Sequence, residues 1–385
     1  MPFDYSSFLA KLTAFPHRGV GSVYEQEAAQ SIAQTLQQNY FQVSQHAFKT
    51  PATYVPIVYW LIGSLLAGLL TVQWGGVFST LLVAVAAING LLYFDWRPSW
   101  LLRVPPLIES QNVIGKYARV APTAPKLILM AHYDSAPVSF LYRRQTKDGF
   151  RNSIRISMLL MALTVPVAGL SYHLPDNSYM LVIRVLLTIY FLLQAILGTI
   201  DYFRKGYTNG ASDNATGVVA AVATAIKLKN QLKNCQLEVV LTSAEEAGMI
   251  GAYYYWKEHC QKIKQPIYLI NFDTLGAGSL KIITKSGSMT PITYDNIVAQ
   301  TALQIVQNDS RFRNVLADSW HTADFDSAWF ARAGVPCLTL AALDANGLMP
   351  HIHRPQDTLD HVDTRPMLQA IDLAESIGIQ IDKLL

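Results

Sequence analysis

Apolar positions along the 385-residue chain fall into two patterns that belong to different kinds of structure. One is a set of short runs, at 41–48, 113–117, 127–131, 237–242, 267–272, 280–284 and 337–341, that read as buried strands. Interleaved with them are segments of helical periodicity at 23–38, 217–232, 248–259, 292–307, 323–333 and 365–384. This alternation predicts an α/β fold with a mixed, mostly parallel sheet flanked by helices. Ser22 and Glu25 have the spacing of a capping box at the start of the first helix.

The second pattern is long and continuous. Residues 50–94 are 45 positions without Asp, Glu, Lys, Arg or His, interrupted only by the polar-tolerant Gln73-Trp74-Gly75-Gly76. That length suits two helices of ~20 residues joined by a tight turn, each able to cross a bilayer. A second stretch has 17 uncharged residues at 156–172, a polar turn at 173–177, and an apolar run at 178–200 that contains Arg184. It predicts a second transmembrane hairpin whose Arg184 reaches the interface. An amphipathic pair lying on the membrane surface is the competing arrangement, favoured if Arg184 lies deep in the span.

With 51% hydrophobic and 15% charged residues and a mean hydropathy of +0.21, the chain is too apolar for an ordinary water-soluble enzyme. We therefore divide it into one domain made of residues 1–50, 96–152 and 201–385, with transmembrane hairpins inserted at 51–95 and 153–200. Each hairpin leaves and returns on one side, so the three pieces of the domain meet on one face of the membrane. On that side lie Lys49, Arg97, Arg103, Arg143, Arg144, Lys147, Arg151, Arg155, Arg204 and Lys205, whereas the hairpin tips carry no Lys or Arg. The positive-inside rule then predicts an integral protein of a bacterial inner membrane with its domain in the cytoplasm. No basic start followed by an apolar core marks a cleavable signal peptide. Cys235, Cys260 and Cys337 match no metal or redox spacing, which agrees with a reducing compartment. The net charge of +3 is small, and basic residues gathered beside lipid point to the bilayer as partner rather than nucleic acid.

Candidate chemistry is concentrated in five short motifs in order: Ala131-His132-Tyr133-Asp134-Ser135, Ser212-Asp213-Asn214, Ala244-Glu245-Glu246-Ala247-Gly248, Asn271-Phe272-Asp273, and His353-Arg354-Pro355-Gln356-Asp357-Thr358. Two His, two Asp and one Glu make the mixed nitrogen and oxygen set that zinc accepts. A two-metal hydrolase also needs a shared carboxylate and an unligated one to handle the proton of the attacking water. Adjacent Glu245 and Glu246 can supply a ligand and that base, one on each side of a strand end. Taken singly, each residue also has an ordinary reading: a strand-end histidine, a solvated helix start, a turn former. His351 competes with His353, since both would share a strand face.

Together the motifs resemble peptidase family M28, the family of the bacterial di-zinc aminopeptidases, over residues 1–50, 107–135 and 207–385. The resemblance implies a zinc-aminopeptidase-like fold and two zinc ions per chain. It makes His132 and Asp273 ligands of one zinc, Glu246 and His353 ligands of the other, and Asp213 the carboxylate shared by both. Glu245 becomes the general base and acid, and Asp134 a residue that orients the His132 imidazole. It selects His353 over His351 by the spacing His-x-x-x-Asp-Thr. It also implies hydrolysis of peptides with a free N-terminus by a membrane-anchored family member. Two further segments fit: Phe15 to Ser22, with Arg18 and Gly21, and Asp326 to Pro336. The departure is Ser327, where many members carry His, which bears on substrate contacts and not on the metal set. Two alternatives share the fold: a glutaminyl-cyclase-like zinc acyltransferase, and a non-catalytic binding module that has lost its ligands.

Overall fold

The buried strand runs assemble into one nine-stranded sheet in the computed structural model, which describes residues 3–139, 142, 147–287 and 289–385. The strands are β1 (Gln42–Thr50), β2 (Ile108–Tyr117), β3 (Lys126–His132), β4 (Gln236–Thr242), β5 (Ile267–Asp273), β6 (Ser279–Ser286), β7 (Ile292–Thr293), β8 (Leu316–Ser319) and β9 (Cys337–Leu343). Their order is β1-β2-β4-β3-β5-β9-β6-β7, with β8 beside β6. The central strands β4, β3, β5 and β9 run parallel, while β1, β2, β6 and β7 add antiparallel pairings at the flanks. Every residue of β3 and β9 is buried, as expected for strands covered on both faces.

The helices are α1 (Tyr5–Thr13), α2 (Val23–Gln38), α3 (Tyr54–Phe94), α4 (Lys147–His173), α5 (Ser178–Lys205), α6 (Thr216–Leu228), α7 (Ile250–Tyr255), α8 (Ile297–Asn308), α9 (Ser327–Arg332) and α10 (Arg365–Leu384). Helix α2 begins where its cap predicts: Ser22 accepts from the Glu25 N–H, and Glu25 returns to the Gly21 N–H at 2.6 Å. Other boundaries differ from the sequence expectation for local reasons. Residues 292–293 leave the expected helix and pair with β6, and α8 starts only after Asn296, whose side chain caps Val298 and Ala299. Gly248 and Met249 have φ of 120° and 54°, so α7 cannot begin until Ile250.

Helix α3 is two helices. At Gly76 the backbone leaves helical space (φ 49°, ψ −118°), and the arms return side by side: the Thr71 and Ser79 hydroxyls lie 2.8 Å apart. Close approach needs glycine, since a Cβ on Gly68 would fall 2.3 Å from Val83 Cγ2 and one on Gly90 2.9 Å from Leu61 Cδ1. Helices α4 and α5 pack against this hairpin and against each other, through Ser157, Tyr190 and Gln194 within 2.9 Å. Three helical stretches, Tyr54–Phe94, Arg151–His173 and Ser178–Ile200, are long and apolar enough to cross a membrane. The bundle turns large apolar side chains outward, with Trp74 86%, Phe78 83% and Leu159 70% exposed. Arg184, inside α5, lines a crevice with Gln73, Leu174 and Asn177 that adjoins the tip turns. Of the flanking basic residues, Arg143 and Arg144 lie outside the described residues, as do the side chains of Lys147, Arg204 and Lys205.

Candidate active site

The parallel strands end together, and the candidate residues gather beyond their C-terminal ends, where α/β sheets collect ligands. His132 is the last residue of β3 and Asp273 the last of β5. Asp213 sits in the turn that opens α6, Glu245 and Glu246 in the turn between β4 and α7, and His353 in the loop between β9 and α10. The glutamates are therefore not on opposite faces of a strand end. Strand β4 stops at Thr242, and Ala244, at φ 57°, turns the chain so that both carboxylates reach the cleft from a turn. Asp134 likewise lies past the end of β3, not on its face.

Asp213 stands at the middle of the cluster. Its Oδ1 is 3.3 Å from His132 Nε2, and its Oδ2 is 3.4 Å from His353 Nε2. His132 Nε2 also lies 3.7 Å from Asp273 Oδ2, and His353 Nε2 lies 2.9 Å from Glu246 Oε2. Three overlapping groups thus present converging ligand atoms: His132 with Asp213 and Asp273, Asp213 with Glu246 and His353, and His132 with Glu245 and Glu246. His351 is turned away and packs on His361. The peptide bond between Asp213 and Asn214 is cis.

Two buried carboxylates hold the ligand-bearing turns. Asp134 accepts the backbone N–H groups of Glu245 and Glu246, both at 3.2 Å, and its contact to His132 Nδ1 is longer, at 3.5 Å. Its stronger attachment is to the glutamate turn, a role that the sequence did not indicate. Asp357 does the same for Ser212 and Asp213, accepting their N–H groups at 2.6 and 3.1 Å. Beneath both lies Arg18, fully buried, whose guanidinium donates to the carbonyls of Tyr133, Leu12, Asn209 and Gly210. The N-terminal Arg motif therefore ties the loop after His132 to the loop before Asp213.

Charge in the cleft is predominantly negative. Burial pushes the Glu245 carboxyl well above the usual range; His132 pulls it down, and Glu246, Asp326 and Asp273 add to the rise. Burial likewise raises Asp273 to about 7. Asp213 stays below the usual range because His132 and His353 outweigh its burial. Burial lowers His353, yet Glu246 and Asp213 carry it up to about 10. Glu246 Oε1 is buried without a hydrogen-bond partner. A crowd of carboxylates around two imidazoles, with one oxygen left unsatisfied, suits a cation, and nitrogen and oxygen donors without thiolates suit zinc. The three cysteines are free, buried and absent from the candidate ligand groups.

Three residues near the cluster carried no role in the sequence reading. Asp326 accepts from the Thr242 hydroxyl, and burial raises it to about 7. Asp357 was visible only as part of a spacing. Tyr142, just ahead of α4, packs its ring 4.3 Å from that of His353 and had no sequence signal. Ser327 is buried against Tyr294 and Thr339, at 3.1 and 2.8 Å, so its hydroxyl is used in packing.

Fold and site together define a mixed-sheet α/β protein with a His and carboxylate metal cleft at its strand ends. Residues 196–377 match the sequence model of peptidase family M28. This segment includes Asp213, Glu245, Glu246, Asp273 and His353 but not His132. A probable leucine aminopeptidase of Arthroderma otae is 24% identical over 184 residues, 46% of this chain and 49% of the relative. The chain thus spans about half the length of that relative. The fold extends over the whole chain: the zinc aminopeptidase BSAP of Bacillus subtilis superposes with a TM-score of 0.60 at 14% identity, covering 99% of this chain and 96% of that one. Tannerella forsythia glutaminyl cyclase does so at 0.55 and 12% identity, covering 99% and 97%. Zinc is the metal these relatives imply.

Proposed function

We propose that this protein is a membrane-anchored peptidase that holds two zinc ions and removes N-terminal residues from peptides. The observation that carries the reading is Asp213, which turns one oxygen to His132 and the other to His353. On this reading His132 and Asp273 hold one ion, Glu246 and His353 the other, and Asp213 both. Bound zinc would supply Lewis acidity toward the scissile carbonyl and the attacking water. Glu246 is engaged by His353 at 2.9 Å, which leaves Glu245 as the proton acceptor. Burial holds its carboxyl above the usual range, the direction of proton affinity that a general base and then acid requires. Glu245 takes a proton from water and returns it to the leaving amine. Asp134 and Asp357 hold the turns that bear these groups.

Release of the first residue from a peptide with a free N-terminus, and none from its N-acetylated twin, is the expected result. Comparable cleavage of both would make the enzyme an endopeptidase. Cyclisation of an N-terminal Gln without hydrolysis would move it to the glutaminyl cyclases.

In the membrane, hairpins 51–95 and 153–200 span and the peptidase domain lies in the cytoplasm, as the basic residues at the hairpin bases favour. Thiol labelling of sealed vesicles tests this, because the native cysteines are buried. Lys383→Cys should react from the cytoplasmic face alone and Asp176→Cys, at the tip of the second hairpin, from the opposite face alone. Reaction of both from one side would show that the second hairpin does not cross.

A further inference from the structure

The first hairpin packs against the turn that carries Glu245 and Glu246. Tyr93, the penultimate residue of α3, is 4% exposed, and its hydroxyl donates to the Ala247 carbonyl at 3.0 Å. Ala247 directly follows Glu246. Gly248 makes room for this contact: a Cβ there would lie 2.7 Å from the Tyr93 hydroxyl. The glutamate turn has positive φ at Ala244 (57°) and Met249 (54°), conformations that persist only when their surroundings fix them. Its backbone is gripped at two points by side chains, at the N–H groups of Glu245 and Glu246 by Asp134, and at the carbonyl of Ala247 by Tyr93. One grip comes from the catalytic sheet and the other from a membrane helix.

Residues ahead of the second hairpin meet the opposite side of the cleft. The segment leading to α4 donates the Ser139 N–H to the His353 carbonyl at 3.0 Å, and Arg354 donates to the Tyr142 carbonyl at 2.8 Å. Of the facing pair Glu246 and His353, 2.9 Å apart, the Glu246 turn is thus the one supported from a membrane hairpin.

We infer that Tyr93 is a positioning residue through which the first hairpin sets the Glu245–Glu246 turn, so that zinc retention and turnover depend on the membrane bundle. The inference rests on the zinc-peptidase reading for its kinetic consequence. Zinc retention can be measured whether or not that reading holds.

Tyr93→Phe removes only the donor and keeps the ring in its packing. Zinc content would be measured at equilibrium with graded chelator-buffered zinc, beside kcat and KM on a peptide with a free N-terminus. The expected result is weaker zinc retention by roughly tenfold, the size seen when the support of a metal ligand is removed. A fall in kcat of about tenfold should accompany it, from the loss of one hydrogen bond, with KM unchanged. Tyr59→Phe is the control, because that hydroxyl meets Thr199 at an exposed position between α3 and α5; it should leave zinc retention and kcat as in the wild type. Wild-type zinc retention by Tyr93→Phe would overturn the inference. Equal losses in Tyr59→Phe would overturn it too, by showing a general loosening of the bundle. Should the wild type prove to have no peptidase activity, the zinc measurement alone decides.

Discussion

Glu245→Gln should lower kcat by roughly a thousandfold, within the range of general acid–base catalysis, while zinc content and KM stay near wild type. The amide matches the carboxylate in size and cannot take a proton from water. Glu245 shares no contact under 3 Å with either histidine, whereas Glu246 meets His353 at 2.9 Å, so the substitution should spare the ligand set. The backbone N–H that Asp134 holds is unaffected, and the turn keeps its shape. The check is steady-state kinetics on a single peptide, with zinc per chain measured on the same preparation. Retention of more than a tenth of wild-type kcat would assign the proton transfer to another group, and Asp326 is a candidate, buried, raised to about 7 and within reach of the charge of His132.

Asp213→Asn should have the second large effect, and a different one. The side chain serves both histidines, and its backbone N–H is fixed by Asp357 at 3.1 Å, so the amide variant should fold with its turn in place. An Asn offers one neutral carbonyl oxygen in place of two carboxylate oxygens, so it cannot serve both ligand groups as an anion. Zinc affinity should fall by about two orders of magnitude or more, beyond the range seen for supporting residues, and turnover should fall with it. Excess zinc should restore part of the activity of Asp213→Asn and none of that of Glu245→Gln. Full zinc content and full activity in Asp213→Asn would exclude the shared-carboxylate arrangement.

The parts of this fold legible in the sequence are those where one physical signal dominates. Helix α2 has a capping box, and α10 has an uninterrupted amphipathic pattern of 20 residues; both were expected with the bounds they have. The central parallel strands read as plain apolar runs because both faces are covered. Strand β8, with two of its four residues exposed, and the two-residue β7 have no such signal, since pairing with β6 alone holds them in the sheet. Within the site, residue types and order pointed to a metal cleft, but the supporting contacts are long-range. Nothing near Asp134 shows that it would hold a turn 111 residues away, and nothing near Tyr93 shows that it would meet Ala247, 154 residues on.

The account is tested most directly by titrating zinc into metal-free wild-type protein in detergent while following release of the N-terminal residue from a peptide with a free N-terminus. It predicts no turnover without zinc, and turnover that rises and saturates as two zinc ions bind per chain. A protein saturated with zinc that releases no residue from any such peptide would contradict it.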